Sequence, residues 1–211
     1  ISIEGTLINP VNSMRCLGVI FDSSLSFSDH TNTTVKTCHF FLRNIAKIRP
    51  FLSTVTARLL MHALILSQLD YCNLLLTGLP NSHLSPLQSI LNTAARILLA
   101  LPLLKALSWL PVKQRIVYKL LLLTFKALHS SAPHYISSLA SPYVPGRLLH
   151  SSQSNRLVAP PTTTAVSRLK PFCLAAPNIW NSLPDVLRRE SSLSLFKTKL
   201  KDYLLEHSPS T

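Results

Sequence analysis

Five aspartates and three glutamates are all the carboxylate this chain could bring to acid–base or metal chemistry, and no two are adjacent or spaced to chelate one ion together. Two-metal phosphoryl transfer needs carboxylates holding two cations about 3.5 to 4 Å apart, and no Asp-Asp pair is present. The aspartate to test is Asp22, at the end of the apolar run RCLGVIFDSSLSF. At the close of a strand and before the polar turn DSS, aspartate commonly turns or caps the chain, and that role is expected of Asp22. The four cysteines, Cys16, Cys38, Cys72 and Cys173, contain no CxxC pair and read as free thiols rather than a zinc site or disulfide framework. The eight histidines are dispersed, and Cys38-His39 with His30 matches no metal spacing. Only four glycines are present, and there is no GxSxG elbow, phosphate loop or dinucleotide fingerprint. Serine is abundant but falls in linkers, which argues against a hydrolase triad.

What the chain holds in quantity is positive charge, 21 Lys and Arg against 8 acids for a formal +13. Such a balance draws phosphate-rich partners, nucleic acid first and anionic membrane second. Two stripes stand out at 100° per residue. Lys36, Arg43 and Lys47 fall on one side of a helical pattern, opposite Cys38, Phe41, Leu42, Ile45 and Ile48, and the stripe reads as free of acids. Arg115, Lys119 and Lys126 recur at spacings of 4 and 7 on a second helix that is apolar nearly all round, so its cations could equally snorkel from a core. Trp109 and Trp180 read as packing anchors ahead of base-stacking platforms.

The elements that must carry these residues follow from periodicity and breakers. Residues 1–21 read as short strands turning at Glu4-Gly5 and Asn9-Pro10, one small β element. A helix starts at Ser26 or Ser28 as N-cap and is stopped by Pro50. A second runs over 54–76, closed by Thr77-Gly78, and a third from near Pro86 to 99. Short connections predict antiparallel neighbours. A fourth follows Pro111 and runs without a breaker to Pro133. Residues 130–184 are dense in Ser, Thr and Pro, and RLVAPP and RLKPFCLAAP read as strands or extended segments. A last amphipathic helix spans 192–206. The expected fold is mainly α: a small N-terminal β hairpin, an antiparallel, thumb-like helical bundle, and a loop-rich C-terminal region with a few short strands and a terminal helix. The expected divisions are 1–25, 26–104 and 105–211, with the loop region at 130–184 inside the last. No apolar segment reaches the roughly 18 uninterrupted residues a membrane helix needs, and no signal-peptide pattern is present. A reducing compartment and no membrane partner are therefore expected. The chain begins with Ile1 inside an alternating pattern, which reads as a cut edge.

Seven stretches, in order, resemble one family. They are LGVIFDSSLSFSDH at 17–30, LRNIAKIRPFL at 42–52, SQLDYCNLLLTGLP at 67–80, LQSILNTAARI at 87–97, WLPVKQRIVYKLLLLTFKALH at 109–129, APNIWNSLP at 176–184 and LFKTKLKDYL at 195–204. Together they resemble reverse transcriptases of non-LTR, LINE-type retrotransposons, in the jockey-like and chicken-repeat-like branch. The resemblance implies a C-terminal fragment of an RNA-directed DNA polymerase: the end of the palm, the thumb and a C-terminal extension, without fingers, most of the palm or endonuclease. It makes Leu17, Gly18 and Val19 a primer-grip-like remnant. It turns Lys36, Arg43, Lys47, Arg115, Lys119 and Lys126 toward an RNA–DNA or DNA duplex. Its implied partners are that duplex and the absent palm and fingers, with no small-molecule substrate, in nucleus or cytoplasm. No cofactor is expected in this chain; the parent polymerase would use magnesium held by residues absent here. Cys16 stands where the family has an aromatic, Thr31 where it has isoleucine, and the segment between Ile97 and Trp109 looks shortened, as in a decayed copy. The alternative expectation is a helical interaction module or decayed remnant with no nucleic-acid role, whose surplus apolar surface once met the missing palm.

Overall fold

The computed structural model describes residues 2–3, 6–7, 11–99, 104, 106–138, 140–143, 155–159 and 171–208. It is mainly helical, and among the described residues the paired strands lie at the N-terminal end. Strands β1 (Ser2–Ile3) and β2 (Thr6–Leu7) pair antiparallel, as do β3 (Ser13–Cys16) and β4 (Val19–Asp22). The second hairpin adds a turn beyond the two expected from the sequence. Cys16 faces Val19, so Leu17 and Gly18 form a two-residue turn with φ of 47° and 83°. Both left-handed angles are what a type I′ turn needs to match strand twist. The expected turn at Asn9-Pro10 lies outside the described residues.

The chain divides into two compact units, Ile1–Cys72 with Leu79–Leu98, and Asn73–Gly78 with Leu99–Thr211. In the first, α1 (Ser28–Ile48) is followed by a 3-10 turn (Arg49–Phe51) containing Pro50, then α2 (Thr54–Met61), a π turn (His62–Leu66) and α3 (Ser67–Asp70). Ser53 caps α2 by accepting the Thr56 N–H at 3.1 Å. In the π turn the Ser67 N–H reaches back to His62, and the Ser67 hydroxyl donates to the carbonyl of Ala63 that this leaves over. The helix expected over 54–76 therefore ends at Asp70. Tyr71 is extended and Cys72 left-handed, and residues 73–76 continue only as a 3-10 turn that packs in the second unit.

Helix α4 (Asn81–Leu99) begins five residues before the expected start, with Pro86 inside it. Proline cannot donate to the carbonyl of Ser82, and the Ser85 hydroxyl does so instead at 3.3 Å. The Arg49 guanidinium donates to the carbonyls of Ile97 and Leu98, which sets the C-terminal ends of α1 and α4 side by side. The α2–α3 rod runs back from the Arg49 corner to Tyr71, whose hydroxyl donates to Leu17 O ahead of α1. The alternation of direction is the antiparallel arrangement expected from short turns. Met61, Ile65, Ile90, Leu91 and Leu42 are buried here.

The second unit is built around α5 (Val112–Leu128), which touches α6 (His134–Ser137), α7 (Pro171–Asn181) and α9 (Leu193–Glu206). Helix α5 stops short of Pro133. Ser130 is left-handed and the Ser131 N–H bonds to Lys126 O at 2.8 Å, a Schellman ending without glycine. Phe125 stacks on Phe196 with centroids 4.4 Å apart, and Trp180 lies against the same ring. Both tryptophans are buried, as packing anchors should be. One feature corrects the reading of 130–184 and one agrees with it. The PFCLAAP stretch is helical as α7, because the burial of Ala176 and Trp180 outweighs the hydrogen bond that Pro177 gives up. RLVAPP supplies a single antiparallel bridge, Leu157 to Pro142. Asn181 clamps that segment, accepting the Leu157 N–H at 2.9 Å and donating to its carbonyl at 2.8 Å. The Trp180 indole donates to Asn155 O at 2.7 Å. Helix α8 (Asp185–Arg188) closes with Arg188 buried and ion-paired to Asp185.

Candidate nucleic-acid interface

Helix α1 is fixed at both ends, and this makes its outer face a defined surface. At the start, Asp22 organises the loop that leads into it. One carboxylate oxygen accepts the N–H groups of Ser24 and Ser26 at 3.1 and 2.9 Å, and the other accepts that of Phe27 at 2.7 Å. The Ser24 hydroxyl, then the Ser26 N–H and hydroxyl and the Phe27 N–H, hold the carboxyl well below the usual carboxylate range despite the opposing cost of desolvation. Leu25 and Phe27 both take left-handed backbone angles, a strained path that the carboxylate bonds stabilise. Phe27 is buried with its ring edge-on to Phe21 at 5.7 Å. Ser26 and Ser28 thus do not cap α1 as expected: Phe27 holds the cap position and Asp22 binds its N–H. At the far end, Arg49 bridges Leu52, Ile97 and Leu98 carbonyls.

Between these anchors Cys38, Leu42 and Ile45 are buried, and burial pushes the Cys38 thiol up to about 11, leaving it inert. Phe41 is half-buried, and Ile48, expected on the apolar side, is largely exposed at the helix end. Lys36, Arg43 and Lys47 are all exposed on the opposite face. Arg188 and Arg189 pair with Asp185, and Lys199 with Glu190, and none of these pairs involves Lys36, Arg43 or Lys47. The stripe is not wholly free of acids, however. Asp29, seven residues before Lys36 and within about 20° of it around the helix, is exposed in the first turn.

The other candidate residues stand differently. On α5, Lys119 is exposed while Arg115 and Lys126 are half-buried, and Arg115 and Lys119 already interact within the chain. These cations rise from a helix covered by neighbours on several sides. Leu17 and Gly18 are the hairpin tip, with Leu17 87% exposed, whereas Val19 is buried. Gly18 does permit a close approach, from Tyr71 of this same chain: a Cβ at Gly18 would lie 3.3 Å from the Tyr71 ring. Nothing in the reading of the sequence had singled out Tyr71, because the contact joins residues 54 positions apart. Phe40 was missed as well. It sits 40° from Lys36 around α1, between Lys36 and Arg43 along the axis and to one side of the cation row, and is 56% exposed.

Both oxygens of Asp22 are occupied by N–H and hydroxyl donors, and no three His, Cys, Asp or Glu side chains cluster among the described residues. No helix among them is long and apolar enough to cross a membrane. No protein-family model, curated protein or solved structure matches the chain.

Proposed function

We propose that this chain is a non-catalytic, post-palm part of an RNA-directed DNA polymerase of a mobile element, and that α1 binds the phosphates of its primer-template. The observation that carries the reading is the outer face of α1, where three exposed cations stand on a helix fixed at both ends. Pre-set cations bind a phosphate track with little ordering cost and supply affinity and register without sequence preference. An RNA–DNA or DNA duplex and the palm and fingers of such a polymerase are the partners this reading assigns. Retention on an RNA–DNA hybrid tests it. Binding should fall steeply with salt, and replacing Lys36, Arg43 and Lys47 by alanine should reduce the slope of log K against log salt by about 2.7, at about 0.9 per phosphate. The chain should incorporate no nucleotide with magnesium present; incorporation would sink the proposal.

A second reading, a helical interaction module, is favoured by one observation. Phe51, Val55 and Leu59 are 88%, 71% and 64% exposed at four-residue spacing across the corner into α2. Insolubility relieved by serine at these three positions, with hybrid binding no stronger than to a neutral polymer, would select it.

A further inference from the structure

Phe40 has no packing role that explains its place. Its ring is mostly in solvent on the polar side of α1, four residues after Lys36, three before Arg43 and seven before Lys47. Among the described residues its ring neighbour is Phe41, edge-on at 5.6 Å, which holds the ring while leaving it mostly in solvent. An aromatic face set among cations is the arrangement that binds single strands, in which unpaired bases stack on the ring while the cations follow the phosphates. In continuous duplex the base faces are covered by one another, so the same ring would meet only sugar and phosphate.

We infer that Phe40 is a base-stacking platform and that the Lys36, Arg43 and Lys47 face of α1 takes single-stranded nucleic acid, such as an unpaired template stretch, in preference to continuous duplex. This rests on the reading of α1 as a nucleic-acid interface. From Lys36 to Lys47 the helix rises about 16 Å, the length of about five nucleotides at the ~3.4 Å charge spacing of one strand. The exposed carboxylate of Asp29 repels phosphate at the first turn and bounds the track there.

The test uses the whole chain and fluorescently labelled oligonucleotides of about 15 nucleotides, single-stranded and as the matching RNA–DNA hybrid, titrated by anisotropy at several salt concentrations. The single strand should bind more tightly than the hybrid. Phe40→Ala should weaken single-strand binding roughly tenfold, leave the salt slope unchanged and barely alter hybrid binding. Phe40→Trp should restore single-strand affinity. Its exposed indole, distinct from the buried Trp109 and Trp180, should be quenched by the single strand and not by the hybrid. Equal losses on both ligands, no loss on either, or a lowered melting temperature for Phe40→Ala would overturn the platform while leaving phosphate binding by α1 in place. Failure of the intact chain to bind either oligonucleotide, or indifference to alanine at Lys36, Arg43 and Lys47, would overturn the interface itself.

Discussion

On α1, Lys36, Arg43 and Lys47 stand in solvent on a helix that buries only its opposite side, whereas on α5, Arg115, Lys119 and Lys126 rise from a helix that α6, α7 and α9 surround. The two sets have nearly the same spacing and helical angle, yet only the first forms an open track. Cation spacing finds a helix face, but whether the cations on it stand in solvent or are partly covered decides whether that face is available to a partner. On a surrounded helix, a long basic side chain reaches water by laying its methylenes over the core.

The largest way to sharpen this contrast is to remove a ring from each helix. Phe125→Ala on α5 should cost about 3 to 5 kcal/mol, since it opens a cavity beside Phe196, while Phe40→Ala should leave denaturant stability nearly unchanged. Next comes charge. Alanine at Lys36, Arg43 and Lys47 should weaken hybrid binding on the order of a hundredfold at low salt with an unaltered melting temperature. Alanine at Arg115, Lys119 and Lys126 should do the reverse, lowering the melting temperature and sparing the salt slope. Salt slopes of equal change in the two variants would break the distinction.

Acid should loosen the base of α1 in two stages. Burial, then the nearby charge of Arg15, depresses the His30 imidazole below its ordinary value. The folded state therefore binds fewer protons than the unfolded one, and this contribution is complete above about pH 7 and lost as pH falls through about 6.5 and then through the folded value. Asp22 is also depressed, so its contribution holds above about pH 4 and disappears in stronger acid. Denaturant midpoints measured from pH 8 to 3 should show the first decline vanish in His30→Phe and the second in Asp22→Asn. The smallest effect expected is at the hairpin. Gly18→Ala should cost about 1 to 2 kcal/mol, from the left-handed backbone and the crowded Tyr71 ring, and Tyr71→Ala should relieve part of it in the double mutant.

Much of this architecture was legible because period and punctuation agreed. Cys38, Leu42 and Ile45 recur at helical spacing before Pro50, and Phe196, Leu200 and Leu204 do the same in α9, and all six are buried. Legibility failed where a local rule lost to a distant contact. Two prolines disguised α7, whose burial around Trp180 comes from α5 and α9. An unbroken apolar run concealed the turn at Leu17 and Gly18, since leucine carries no turn signal and the supporting Tyr71 lies far along the chain. The basic residues of α1 could be placed on one face by arithmetic; that the face is pinned by Asp22 and Arg49, and that it includes Phe40, required the fold.

The Asn181 clamp has a consequence for what that position can hold. A side-chain amide offers one donor and one acceptor at the same separation as a peptide unit, and here it pairs both backbone groups of Leu157, while Arg156 and Val158 bond Tyr143 and Ser141 on the other edge. Residues 155–159 therefore sit as the middle member of a three-part sheet whose third part is a single side chain. Aspartate at 181 would turn a donor into a second acceptor facing the Leu157 carbonyl, and glutamine would overreach by one methylene. The site is a lock cut for one amino acid, in which a one-atom change of chemistry should undo what a whole strand elsewhere provides.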